Sequence, residues 1–233
     1  MLLQGASLRQ RLSRQPVEIS VRKLDMESLA SVVALVDGLA TENIPIHIAL
    51  LNAGIWKMKW AITPETGYET VFRVSYLSTA VLTLFLLPIL VRTSEATSAR
   101  SVLTVVGSEL QSDSSWKKKK TAPPSIFSEF ANEATFSGFQ RYPDSKYLLF
   151  QFVHRLAREI DRTKVNVLAV GPGAVGTSFG GNNMPRWVTP LQSMYKAWAR
   201  KPEEGARVIT YASSGLAGDA AHGEFVETMA INP

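Results

Sequence analysis

Residues Ile46–Gly54 read IHIALLNAG. Ile46 to Leu51 form a short, almost wholly apolar run, too brief for a helix, that stops at the turn Asn52-Ala53-Gly54. Flanked by helical patterns, such a run predicts a parallel strand buried on both faces. Before it, Leu29, Val32, Val33, Val36 and Leu39 recur at helical spacing over Met26–Leu39, and Asn43 and Pro45 break the pattern. Further back, Val17–Val21 alternates as a strand does, and residues 2–14 make a polar helical pattern stopped by Pro16.

Downstream, Thr63-Pro64-Glu65 has the form of a helix start, with Thr63 as cap and proline in the first turn. That helix is expected to reach about Arg92, bending or ending at Pro88. Ser101–Val106 is a second buried strand, ending in Gly107-Ser108. Glu109–Phe139 reads as an irregular insertion of the kind that covers a functional site. A helix from Tyr142 to about Asp161 follows, with Leu148, Phe152, Leu156 and Ile160 as its core stripe. Val165–Val170 is a third strand before Gly171-Pro172-Gly173, and residues 174–190 read as a loop. Glu203–Ser213 is a last helix, and Gly223–Thr228 a short strand. No internal repeat is visible.

Alternating strands and helices make this an α/β chain with a mostly parallel, helix-flanked sheet. Ligands of such sheets bind at the carboxyl ends of the strands, so Asn52, Ser108 and Gly173 share one rim. Tyr142 and Lys146 stand four apart on the helix after the Ser108 insertion and leave its same face. A phenol beside an ammonium is an acid–base device, because positive charge favours phenolate.

The 233 residues suffice for one large domain, and 45% hydrophobic content for a full core. Cysteine is absent, which removes thiolate metal sites and nucleophiles, and His47, His154 and His222 lie in no ligand motif, so no metal is expected. The longest apolar run, Ala80–Val91, is well short of the ~20 residues that span a bilayer. The start of the chain lacks the form of a secretory leader. Net charge is +5, with Lys117–Lys120 read as a solvated loop rather than a nucleic-acid surface. The expectation is a cytoplasmic protein with a small-molecule partner, no membrane span, and room for self-association.

Four ordered motifs carry a resemblance: LNAG at Leu51–Gly54, VVGS ending at Ser108, YPDSK at Tyr142–Lys146 and GPGAVGT at Gly171–Thr177. Together with Asp25, LLPIL at Leu86–Leu90 and Glu203-Glu204-Gly205-Ala206, they make the chain resemble the short-chain dehydrogenase/reductase family from about Leu24 to Glu227. Its flavour is that of the fungal NADP-type reductases of secondary metabolism. The resemblance implies a single Rossmann-like domain over residues 1–233. It implies Tyr142 as general acid–base, Ser108 as the hydrogen-bond donor to the substrate oxygen, and Lys146 as the group that lowers the tyrosine pKa and holds the nicotinamide ribose. Asn52, Ala53 and Gly54 would line the adenine-ribose side. Pro172, Gly173, Val175 and Thr177 would meet the nicotinamide end. Asp25 would face adenine or only cap the next helix; Gly54 and Gly173 are site residues or plain turn glycines.

Two departures stand out. No glycine-rich phosphate turn precedes Val17, so the chain reads as one lacking the family's N-terminal β-α-β part. Ser75 stands where the family usually has a catalytic asparagine that holds a relay water. Three readings follow: a carbonyl reductase or alcohol dehydrogenase using NADP, with NAD or no cofactor as alternatives; a cofactor-independent isomerase, dehydratase or cyclase; or a non-catalytic homologue or partner subunit. Trp187, Tyr195 and Trp198, within Met184–Trp198, are expected in the lid over the substrate.

Overall fold

A computed structural model describes residues 18–118, 125–177, 179 and 199–232. The expected helix over 2–14, the lid aromatics and most of the loop after Thr177 lie outside the described residues. Five strands form one sheet: β1 (Ile48–Leu51), β2 (Ser101–Val106), β3 (Val165–Gly171), β4 (Phe225–Glu227) and β5 (Ala230–Asn232). They lie in that order, the first four parallel and β5 antiparallel to β4. In register, Leu51 faces Val105 and Val105 faces Ala169. The turns after β1, β2 and β3 therefore leave the sheet at one level, which builds the expected rim.

Four helices cover the sheet: α1 (Leu29–Thr41), α2 (Thr70–Thr97), α3 (Arg141–Ala157) and α4 (Pro202–Ser213). One face packs Leu103, Val105, Val165, Val167 and Ala169 against Val32 and Val36 of α1, Leu86 and Leu90 of α2, and Leu149 and Val153 of α3. The other packs Val102, Val106, Leu168 and Val170 against Val208 and Ala212 of α4. β2 and β3 are buried at every residue. Such double burial favours near-continuous apolar strands, which these sequences supply apart from buried Ser101, Thr104 and Asn166.

β1 departs from its expected burial. Ala49 and Leu51 enter the core, but Ile48 and Leu50 remain 53% and 43% exposed. They point to the α4 face, where α4 contributes its buried residues to β2, β3 and β4. Among the described residues β1 pairs only with β2 and is an edge strand.

Other boundaries moved for local reasons. Residues 18–21 form no strand; they have no neighbouring ladder, and Arg22 next to them donates instead to both oxygens of Glu42 beyond α1. Thr63-Pro64-Glu65 makes a turn rather than a helix start, closed by Gly67 N–H to Thr63 O at 2.8 Å. Gly67 has φ +70°, which a helix does not permit. α2 starts at Thr70, where the Glu69 carboxylate accepts from the Val71 and Phe72 N–H groups at 2.9 Å each. Pro88 does not end it, because the carbonyl it leaves unbonded belongs to exposed Leu84. α2 is long and apolar enough to cross a membrane, yet 61% of its apolar stretch is buried inside the protein, as befits a core helix. The described residues of the insertion form short helical turns at Glu109–Asp113, Ser115–Lys118, Ile126–Phe130 and Glu133–Thr135. On α3 the stripe that faces the sheet is Leu149, Val153 and Ala157; of the expected stripe Leu148 is buried, against Phe72 and Phe130, while Phe152, Leu156 and Ile160 lie at the margin.

Leu103, fully buried at the centre of β2, and Leu50 make a direct comparison. Leu103→Ala is expected to cost about 2–5 kcal/mol, and Leu50→Ala about 0.5 kcal/mol. Urea unfolding of the two variants checks both the core and the bare face of β1.

Candidate active site

The site begins at α3. Pro143 fits its first turn because the missing N–H has no intrahelical partner there. Asp144 fixes the insertion against that turn: its Oδ1 accepts from Ser114 Oγ and Ser115 N at 2.8 Å each, and from Gln140 Nε2 at 3.2 Å. Tyr142 and Lys146 are thereby carried into the protein, at 7% and 2% exposure.

Lys146 crosses to the sheet. Its Nζ donates to the Val106 carbonyl at 2.7 Å, two residues before Ser108, and stands 5.7 Å from the centre of the Tyr142 ring. Burial pulls its pKa down from the usual lysine range to about 8. Gly54 completes this corner: a Cβ there would lie 3.4 Å from Lys146 Nζ and 3.7 Å from Ser75 Oγ. The loop after β1, α2 and α3 thus meet at one ammonium group.

Ser75 lies in a widened turn of α2, Arg73–Leu77, across which Ser78 N–H donates to Arg73 O five residues back. Such turns are frequent at functional sites. Its hydroxyl accepts from Ile55 N and donates to Ile55 O, both at 3.1 Å. The proton that the resemblance would assign to a water relay is committed to the loop after β1.

Ser108 lies at the end of β2, and its Oγ accepts from Leu110 N at 3.3 Å, which leaves the hydroxyl hydrogen available to a ligand. Gly173 has φ +80°, and its N–H donates to Glu109 Oε1 at 2.6 Å. From another side, Arg200 donates to the Pro172 carbonyl at 3.4 Å, while Val175 bridges to Arg200 in the backbone. Thr177 Oγ1 accepts from Phe179 N at 3.2 Å. Glu109 and Arg200 were invisible to motif reading, because each acts on a backbone turn more than 25 residues away in the chain.

Trp56 was likewise unforeseen. Its indole is stacked on the Tyr142 ring, with centroids 5.1 Å apart and planes 11° from parallel. Its Nε1–H donates to Gly138 O at 2.7 Å. Gly138 is constrained by that approach, since a Cβ would fall 2.6 Å from the Met58 backbone. Phe179 makes a second ring contact to Tyr142, at 5.2 Å.

Asn52 and Ala53 are exposed on the rim. Asp25 lies apart from Tyr142, in an open groove of about 540 Å³ with Arg22, Lys23, Ser28 and Ser31. Ser28, not Asp25, caps α1 by accepting from Ser31 N; Asp25 Oδ1 accepts from Glu27 N at 2.9 Å in the turn before it. Among the described residues no group of three His, Cys, Asp or Glu could hold a metal ion.

Behind the site, Glu69 and Arg141 are both buried, with Arg141 Nε 3.9 Å from Glu69 Oε2. Burial pushes the Glu69 pKa up and the Arg141 pKa down, so desolvation outweighs their attraction. Arg141 is also held over Phe130, at 4.5 Å from the ring centre.

Comparison with known proteins follows from this geometry. No family model matches the chain. A short chain dehydrogenase of Arthrobotrys oligospora is 36% identical over 208 residues, covering 89% of this chain and 63% of the relative. The short chain dehydrogenase opdN of Penicillium oxalicum is 33% identical over 241 residues, covering 99% of this chain and 76% of the relative. The chain thus spans less than two thirds of the Arthrobotrys protein's length. Among solved structures, the NADH-dependent reductase A1-R′ superposes with a TM-score of 0.65 at 19% identity, covering 96% of this chain and 80% of that one. At that identity the likeness establishes the fold.

The Lys146 pKa fixes a sign. The unfolded chain binds this proton up to about pH 10.4, the folded chain only up to about 8. Below pH 8 the buried charge costs stability, and that cost is relieved as pH rises from 8 to about 10.4. Lys146→Met is expected to be more stable than the wild type at pH 7, with the difference shrinking across that window in urea melts.

Proposed function

The chain belongs to the short-chain dehydrogenase/reductase family, and on that premise we propose that its site reduces a carbonyl group of a small organic metabolite, or oxidises the matching alcohol, with NADP(H). The observation that carries this reading is Lys146. A buried ammonium has three donors, and Val106 O takes one of them. Gly54 leaves space beside the nitrogen that a Cβ would occupy in part, at 3.4 Å from Nζ. A ribose diol fits such a donor set. The Gly173 turn, fixed in place by Glu109 and Arg200, suits the flat nicotinamide end.

Bound there, the cofactor supplies a hydride to the carbonyl carbon. Everything else falls to the chain. Ser108 Oγ–H donates to the carbonyl oxygen and stabilises the negative charge that grows on it. Tyr142 gives its phenolic proton to that oxygen, completing the alcohol. Lys146 stabilises the phenolate left behind and holds the ribose hydroxyls. Asn52, Ala53 and Gly54 line the adenine-ribose side, and Asp25 faces adenine from its groove. Pro172, Gly173, Val175 and Thr177 border the nicotinamide. Ser75 acts through the loop, keeping Ile55 and hence Gly54 in place. NADP(H) over NAD(H) is supported by Lys23 in the Asp25 groove, where an added phosphate would find positive charge, since Arg22 beside it is already paired with Glu42.

Tyr142→Phe is expected to lower reduction of a ketone by NADPH at least about 100-fold while leaving NADPH binding, read by tryptophan fluorescence, intact. Near-normal turnover in that variant would contradict the assignment of the acid. Absence of any cofactor binding by the wild-type protein would end the reductase reading.

A further inference from the structure

Trp56 does more than fill space. A packing tryptophan would turn its edge and face into the core, but Trp56 is only half-buried, and its orientation is set by a hydrogen bond to Gly138 O. Its plane runs nearly parallel to that of Tyr142. A phenol donates its proton close to the plane of its own ring. The accepting carbonyl oxygen therefore lies near the phenol plane, while the carbonyl's own plane is free to turn about the O–H···O axis. A flat group attached to that carbonyl can take up the orientation parallel to the indole, the offset-stacked arrangement that aromatic rings prefer, and the stacking then fixes the turn. An alicyclic group of the same size cannot lie flat there.

Two further apolar rings stand nearby with exposed surface. Phe179 touches the Tyr142 ring and is 45% exposed. Phe139, next to the Gly138 anchor, is 49% exposed. Exposed rings beside a buried polar donor are the composition of a ligand-binding mouth, with apolar walls and few polar groups.

We propose that the site selects a flat, fused-ring aromatic ketone, with Trp56 as the residue that reads its planarity. The proposal rests on the reductase reading only for the fate of the bound carbonyl, not for the binding itself.

The test uses 2-tetralone and 2-decalone, bicyclic ketones of ten carbons that differ in one aromatic ring and carry an unconjugated carbonyl. Binding is measured by calorimetry on the full chain, alone and with saturating NADP+, and turnover with NADPH is measured separately. The expected result is tetralone binding about three- to tenfold tighter than decalone. In Trp56→Leu the ratio falls to near one, and in Trp56→Phe part of it returns. Equal binding of the two ketones by the wild type overturns the proposal without reference to any variant. So does a preference that survives in Trp56→Leu. If the binding preference holds but neither ketone is reduced by NADPH or NADH, the reductase reading fails and the planar site stands.

Discussion

The bond from Lys146 to the Val106 carbonyl is the constraint around which the site is arranged. It joins the second turn of α3 to the end of β2 and takes an ammonium group out of water. Burial opposes charge there, which is why the pKa falls to about 8. The surroundings are then fitted to that nitrogen. Gly54 keeps the space beside it clear, where a Cβ would stand in van der Waals contact with it, and Ser75 holds the loop that carries Gly54. Tyr142 stands one turn earlier on the same helix face. A group so costly to bury is poorly suited to stability alone and well suited to holding a polar ligand.

The same trade appears around the site. Glu69 and Arg141 are buried together at a separation that does not repay their desolvation, yet Glu69 caps α2 and Arg141 immediately precedes Tyr142. β1 leaves half of its apolar surface bare, while its carboxyl end delivers Asn52–Gly54 to the rim. Stability is concentrated in β2 and β3, and the positions that give it up lie next to the chemistry.

Much of this was legible in the sequence because it is periodic or local. The runs Ser101–Val106 and Val165–Val170 are mostly apolar, and both became strands at nearly those limits. The spacing of Tyr142 and Lys146 placed them on one face, and chain order alone placed Ser108 and Gly173 on the same rim. What escaped depends on partners distant in sequence. Alternation over Val17–Val21 suggested a strand, but a strand requires a ladder, and none is available to residues 18–21. The hairpin from β4 to β5 was missed because its turn, Thr228-Met229, takes positive φ without glycine or asparagine. Glu65 was read as part of a helix start, yet its carboxylate accepts from Leu29 N at the head of α1. Trp56 and Glu109 belong to no motif; the first is defined by Gly138, the second by Gly173.

The most direct measurement is the proton linkage of cofactor binding, obtained by calorimetry of NADPH in buffers of different ionisation enthalpy. At pH 8 about half of the Lys146 side chains lack their proton. Ribose hydroxyls and phosphate charge favour the ammonium form, so binding draws a proton from the buffer. The account predicts proton uptake that is small below pH 7, grows through pH 8 to a maximum above it, and is absent in Lys146→Met. Binding with no proton uptake, or with the same uptake in that variant, would contradict the place given to Lys146 at the centre of the site.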